Sequence, residues 1–155
     1  MIIKDIRIKK DIETNSTESF SAPNLIKAFD IYTDSVKYFS APKLKEAGWI
    51  FAYSVKKSSI PKLKTAKSIY MSLVKKFLAP RLEKIEDIWA KSAKEFSAPE
   101  LKEAHNIWAN SAKKFFAPNL EETWGICAQS AKKFSAPNLK KAWFIYAYSA
   151  ETIEL

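Results

Sequence analysis

The chain has 155 residues, a length at which one domain is expected, and 47% of them are hydrophobic, which excludes a disordered chain. Lys and Arg number 26 against 17 Asp and Glu, and the net charge of +9 directs the protein toward polyanions, either nucleic acid or anionic membranes. Two glycines argue against Gly-rich phosphate loops, hairpin-dense sheets and β-solenoids, and a single cysteine excludes an intrachain disulfide or a cysteine-cluster zinc site.

Residues 1–19, MIIKDIRIKKDIETNSTES, alternate Ile with charge and then turn polar, which predicts an N-terminal arm and linker with a short strand. No signal-peptide core and no long uncharged apolar run stands in the sequence, so a cytoplasmic protein is expected.

From residue 20 to 155 the chain is a repeat. Pro23, Pro42, Pro61, Pro80, Pro99, Pro118 and Pro137 follow one another at intervals of 19, each with Leu two residues later and Ile six beyond that. With the residue three before each Pro as position 1, the consensus is F-S-A-P-x-L-x-x-A-x-x-I-(aromatic)-A-x-S-(A/V)-K-K, and residue 58 departs from it as Ser.

Each unit reads as one helix. Ser-Ala-Pro supplies an N-cap and a first-turn proline, and the lysines at position 18 lie at the C-terminal end of the dipole. On a helical wheel positions 6, 9, 10, 12, 13, 14, 16 and 17 and the next Phe cover an arc of roughly 200°, wider than a single apolar stripe, so each helix needs two neighbours. The expected fold is all-α: an α-solenoid of seven 19-residue single-helix repeats, stacked antiparallel, with a short N-terminal arm. The closing ETIEL, where acids replace the lysine pair, suits a capping unit.

FSAPELKEAHNIWANSAKK and FSAPNLKKAWFIYAYSAKK resemble one half of the octotricopeptide repeat, a helical hairpin of twice this period. The likeness lies in F-S-x-P, the Leu after Pro, the small residue three later and the triplets Ile88-Trp89-Ala90 and Ile107-Trp108-Ala109, and it spans residues 20–152. The resemblance implies a non-catalytic solenoid binding single-stranded RNA. The Leu-Gly that ends that family's repeat is replaced here by Lys-Lys.

Two residue sets are candidates for contact. Lys37, Lys56, Lys75, Lys94, Lys113 and Lys132 at position 18, with Lys57, Lys76, Lys114 and Lys133 beside them, are candidates for phosphates. Antiparallel helices would divide the position 18 lysines between two edges, and helix-terminus neutralisation and solubility are their competing role. Positions 11 and 15 vary in chemistry along a constant scaffold: Asp30/Asp34, Trp49/Tyr53, Ser68/Ser72, Asp87/Lys91, Asn106/Asn110, Gly125/Gln129 and Phe144/Tyr148. Polar members of such pairs can bond a base edge and aromatic members can stack on its face. The wheel places position 18 beside position 11. Unconstrained drift of solvent-facing residues is the alternative.

Other chemistry is sparse. His105 is the only histidine, Cys127 occupies an aromatic position, and Glu121/Glu122 and Glu83/Glu86 lie among lysines as solvated ion pairs. No enzyme, cofactor, metal site or small-molecule substrate is expected. The expected partner is single-stranded RNA; the alternative is a protein partner or homo-oligomer contacted by Trp49, Tyr53, Phe144 and Tyr148. Membrane binding is not expected.

Overall fold

The computed structural model describes residues 6–14 and 18–155. They form a parallel β-solenoid with one turn of chain per 19-residue repeat, and no helix occurs among the described residues. The all-α fold, the antiparallel stack of seven helices and the octotricopeptide-like repeat are therefore corrected; the period of 19 is retained as the register of the sheets, in which Ile69, Ile88 and Ile107 are successive partners.

Each coil contributes to two sheets. One is eight-stranded, with neighbours following chain order: Ile12–Glu13, Ile31–Tyr32, Trp49–Phe51, Ser68–Tyr70, Lys84–Trp89, Glu103–Trp108, Glu122–Cys127 and Phe144–Tyr146. The other side holds Ser19–Ser21, Tyr38–Ser40 and Lys57–Ser59 in three strands, then Lys76–Leu78, Glu95–Ser97, Lys114–Phe116, Lys133–Ser135 and Thr152–Glu154 in five. Of the arm expected over 1–19, residues 1–5 and 15–17 lie outside the described residues; Ile6–Arg7 pairs parallel with Leu25–Lys27, and Ile12–Glu13 with Ile31–Tyr32.

The turns explain why glycine is dispensable. Ala-Pro-x-Leu closes with the Leu N–H donating to the Ala carbonyl, at 3.2 Å for Leu101 to Ala98. Ala-x-Ser-Ala closes in the same way, at 3.0 Å for Ala112 to Ala109. Among the described residues none has a positive φ, so both are type I turns, with Pro at its favoured second place in the first. The inference from two glycines against a β-solenoid fails here because type I turns never leave the right-handed region. Proline also restricts the preceding Ala to extended backbone, which ends a strand where the helical reading began a helix.

Between the turns the residues follow the pleat. Positions 1, 3, 6, 9, 12, 14 and 17 face inward: in one coil Phe96, Ala98, Leu101, Ala104, Ile107, Ala109 and Ala112, all buried. Each row of identical positions runs along the axis at the strand spacing of about 4.8 Å. Phe77, Phe96, Phe115 and Phe134 stack at 5.1, 4.8 and 4.7 Å, and Phe20 stacks on Phe39 at 4.9 Å. Ser58 breaks this ladder, and in the same coil Ile60 replaces the alanine of position 3 and is 1% exposed. The short sheet is interrupted after this coil, between Lys57–Ser59 and Lys76–Leu78.

Candidate functional site

A parallel coil carries each sequence position into one row along the axis, and the row at position 18 is the most distinctive on the surface. It reads Glu18, Lys37, Lys56, Lys75, Lys94, Lys113, Lys132, Glu151, all exposed. The row's backbone is fixed by hydrogen bonds between coils, each N–H donating to the carbonyl of the equivalent residue one coil earlier, as Lys75 to Lys56 at 3.1 Å and Lys113 to Lys94 at 2.8 Å. Six lysines therefore extend over roughly 24 Å, five strand spacings of about 4.8 Å. The antiparallel division into two edges is corrected: parallel coils place all six in single file.

Comparison with the other charged rows gives this one its meaning. Position 7 mixes signs and pairs them, Lys64 with Glu83 at 3.1 Å and Lys140 with Glu121 at 2.6 Å. Position 8 does the same through Lys84 with Glu103 and Lys141 with Glu122. At position 19, Lys57, Lys76, Lys114 and Lys133 are interrupted by Glu95, which bonds Lys76 at 2.8 Å. Position 18 has no carboxylate inside it. Its acids stand only at the ends, Glu18 on Lys37 at 3.1 Å and Glu151 on Lys132 at 2.5 Å. Among the described residues Lys56, Lys75, Lys94 and Lys113 make no ion pair. The Lys132 hydrogen bond and charge hold the Glu151 carboxyl below the usual range, and the same pair raises the Lys132 ammonium.

The variable pairs lie apart from this row, position 11 on the outer face of the long sheet and position 15 on the turn that follows it. Position 11 is largely enclosed: Asp30 is 9% exposed and accepts the Trp49 backbone N–H at 2.7 Å, Ser68 is buried, and Asp87 accepts from Asn106 at 2.9 Å. Gly125 leaves the space into which the Phe144 ring folds. At position 15, Tyr53, Lys91, Gln129 and Tyr148 are exposed, Asp34, Ser72 and Asn110 are half-buried, and Asn110 donates to Cys127 Sγ at 3.0 Å and Gln129 Oε1 at 3.4 Å. Burial, then the charges of Tyr70 and Asp34, push the Tyr53 hydroxyl up; burial likewise raises the Cys127 thiol against the pull of Asn110. Position 11 lies in the long sheet and position 18 at the entry to the short one, so the two are not neighbours. Position 15, on the turn between the sheets, is the variable row nearer the lysines.

Sequence reasoning missed the row between the pairs. Position 13, assigned to the packed interior of a helical stack, faces outward: Tyr32, Phe51 and Tyr70 stack along the axis at 5.0 and 4.8 Å, and Trp89 and Trp108 continue the row as tilted neighbours at 5.9 and 5.5 Å. The available signal was the period-two step from Ile at 12 to Ala at 14, which turns the residue between them outward in a strand. Tyr32, Phe51 and Tyr70 use their faces on one another. Lys91 lies over Trp89 at 4.5 Å and Lys67 over Trp49 at 4.4 Å, which covers further ring surface.

A shallow groove of about 540 Å3 follows the bend at positions 8 to 10, between the ion-paired rim of Lys84, Glu103, Glu122 and Lys141 and a rim of His105, Trp124 and Trp143. His105 and Trp124 stack at 4.2 Å, so the sole histidine is a stacking partner within that rim. Among the described residues no group of three His, Cys, Asp or Glu side chains could hold a metal ion, and no helix is long and apolar enough to cross a membrane. No family model, curated protein or solved structure matches the chain.

Proposed function

We propose that this chain is a non-catalytic binding scaffold that takes single-stranded RNA along the position 18 lysines. The carrying observation is that this row keeps six lysines in succession with no acid between them, against the three basic residues Lys43, Lys62 and Arg81 at position 5. Neighbouring lysines in one row repel, by about 1 kcal/mol at 4 Å in water before screening. The rows at positions 7, 8 and 19 carry glutamates among their lysines, which relieve that repulsion. Six lysines in succession, the middle four without a carboxylate partner among the described residues, are energetically suited to an external line of negative charge, whose binding releases counterions.

The spacing of the row favours a single strand over a duplex. Each strand of a duplex advances about 3.4 Å per phosphate at a fixed spacing, whereas lysines stand about 4.8 Å apart and a flexible strand can adjust to them. With phosphates on position 18, bases reach the turn and meet Tyr53, Ser72, Lys91, Asn110 and Gln129 of position 15.

The test is fluorescence anisotropy with a single-stranded RNA, the same sequence as DNA and the RNA duplex, each titrated over a range of salt. Replacing Lys56, Lys75, Lys94 and Lys113 by Ala should remove about 0.7 from the salt slope per lysine and abolish binding near physiological salt. The control replaces Lys45, Lys64, Lys102 and Lys140 of position 7, an equal change of charge, and should retain most of the affinity. Equal losses in both variants would reduce the effect to net charge. Unaltered binding by the position 18 variant would refute the reading and return attention to a protein partner at the exposed rings of Trp143 and Tyr148, 84% and 74% exposed.

A further inference from the structure

The two carboxylates of the lysine row stand at symmetrical places, one at each end. Glu18 is one coil before the first lysine and Glu151 one coil after the last. Each bonds its nearest lysine, Lys37 at 3.1 Å and Lys132 at 2.5 Å, and so occupies the place a terminal phosphate would take. The four lysines between them have no carboxylate partner among the described residues.

We propose that Glu18 and Glu151 set the ends of the RNA footprint, confining it to the four phosphates that Lys56, Lys75, Lys94 and Lys113 can neutralise. This rests on the RNA reading above and adds what fixes the length of its site. Two effects act in the same direction. A lysine already bonded to a carboxylate has no counterion to release, so it contributes little to the salt-dependent affinity. A carboxylate in the row also repels a phosphate arriving beside it, within a Debye length of about 8 Å at physiological ionic strength. The strand is thus attracted in the middle and repelled at both ends, which gives a short, centred footprint instead of free sliding along the axis.

The two acids are placed where they oppose an anion most and the lysine ladder least. Glutamates within the row would pair its lysines, as Glu83 and Glu121 do at position 7 and Glu103 and Glu122 at position 8. Kept to the ends, they leave the centre unpaired. Their carboxylates also restrain Lys37 and Lys132, the two lysines with a like-charged neighbour on one side only.

The experiment measures the salt slope and the shortest RNA bound at full affinity, using oligouridines of increasing length and the variants Glu18→Gln, Glu151→Gln and the double variant. Gln keeps the shape and removes the charge. The unaltered chain should show a slope of about −2.8, four phosphates at about 0.7 each. Each single variant should steepen it by about 0.7 and lengthen the shortest fully bound oligouridine by about one nucleotide, and the double variant should reach about −4.2. Glu100→Gln is the control: it makes the same change in net charge at position 5, away from the row, and should leave slope and length unchanged. Absence of oligouridine binding by the unaltered chain overturns the RNA reading itself. Binding with a slope near −4.2 that Glu18→Gln and Glu151→Gln do not move leaves that reading intact and overturns the delimiting role. An equal steepening by Glu100→Gln overturns it too, because the effect is then overall charge.

Discussion

The third coil offers a double-mutant cycle on the core. Ser58 takes the place of the ladder phenylalanine, and Ile60, 1% exposed, takes the place of the alanine two residues on; both positions point inward. We read the pair as a volume exchange, in which isoleucine fills part of the space the missing ring leaves. Ile60→Ala alone opens a cavity and should cost about 2 to 5 kcal/mol. Ser58→Phe alone forces a ring against Ile60 and should cost about 1 to 3 kcal/mol by overpacking. Added independently these come to about 3 to 8 kcal/mol. The double variant should instead lie within about 1 kcal/mol of the starting protein, because the new ring can stack between Phe39 and Phe77, each stacked pair being worth about 0.5 to 1.5 kcal/mol. Urea unfolding followed by far-ultraviolet circular dichroism gives the four midpoints, and residues in contact are those expected to couple. Additive losses, with the double variant the least stable of the four, would refute the exchange and mean that Ser58 and Ile60 fill separate spaces.

Two further outcomes follow from the side chains. Gly125→Ala places a Cβ inside the Phe144 ring, which must then leave Trp108 and Tyr146, 6.3 and 5.0 Å away. A loss of about 1 to 3 kcal/mol is expected, restored in part by adding Phe144→Ala, and a Gly125→Ala variant with unchanged melting would refute the close approach. The carboxyls of Glu46, Glu95, Glu121 and Glu151 are held below their usual range, first by hydrogen bonds from Lys27, Lys76, Lys140 and Lys132. A lowered folded-state value means stability fully present above the ordinary glutamate pKa near 4.3 and lost as pH falls through the folded value. Tm should therefore be level from about pH 7 to 5 and fall below about 4, where the lysine rows also lose their compensation; a Tm unchanged at pH 3 would show that these exposed pairs contribute nothing measurable.

The period, the unit boundaries and the inward Leu and Ile rows were legible in the sequence; the secondary structure, including the turn made at each proline, was not. The reason lies in the spacing of the inward residues. From position 3 to 6, 9 and 12, and from 14 to 17 and the next Phe, the steps are of three, because type I turns and the strand bend each advance the chain by three residues between inward positions. Steps of three also satisfy a helical wheel. Only the steps of two, Phe to Ala at 1 and 3 and Ile to Ala at 12 and 14, distinguish a strand, and they are too few to set a period. Positions 6, 9, 12, 14 and 17 and the Phe are buried as expected, whereas 10, 13 and 16 face outward, as His105, Trp108 and Ser111 show. The lysines were legible as candidates, but their alignment was not, since it depends on successive units running in the same direction.

That common direction makes the chain a ruler. Inserting one residue within a strand would shift the rest of that strand's side chains to the opposite face, because the pleat has a period of two. Duplicating 19 residues whole would leave the core pattern unchanged, move the end along the axis by about 4.8 Å and add one more graduation to every surface row. The gene can thus change the reach of this protein by tandem duplication or deletion while its cross-section stays the same.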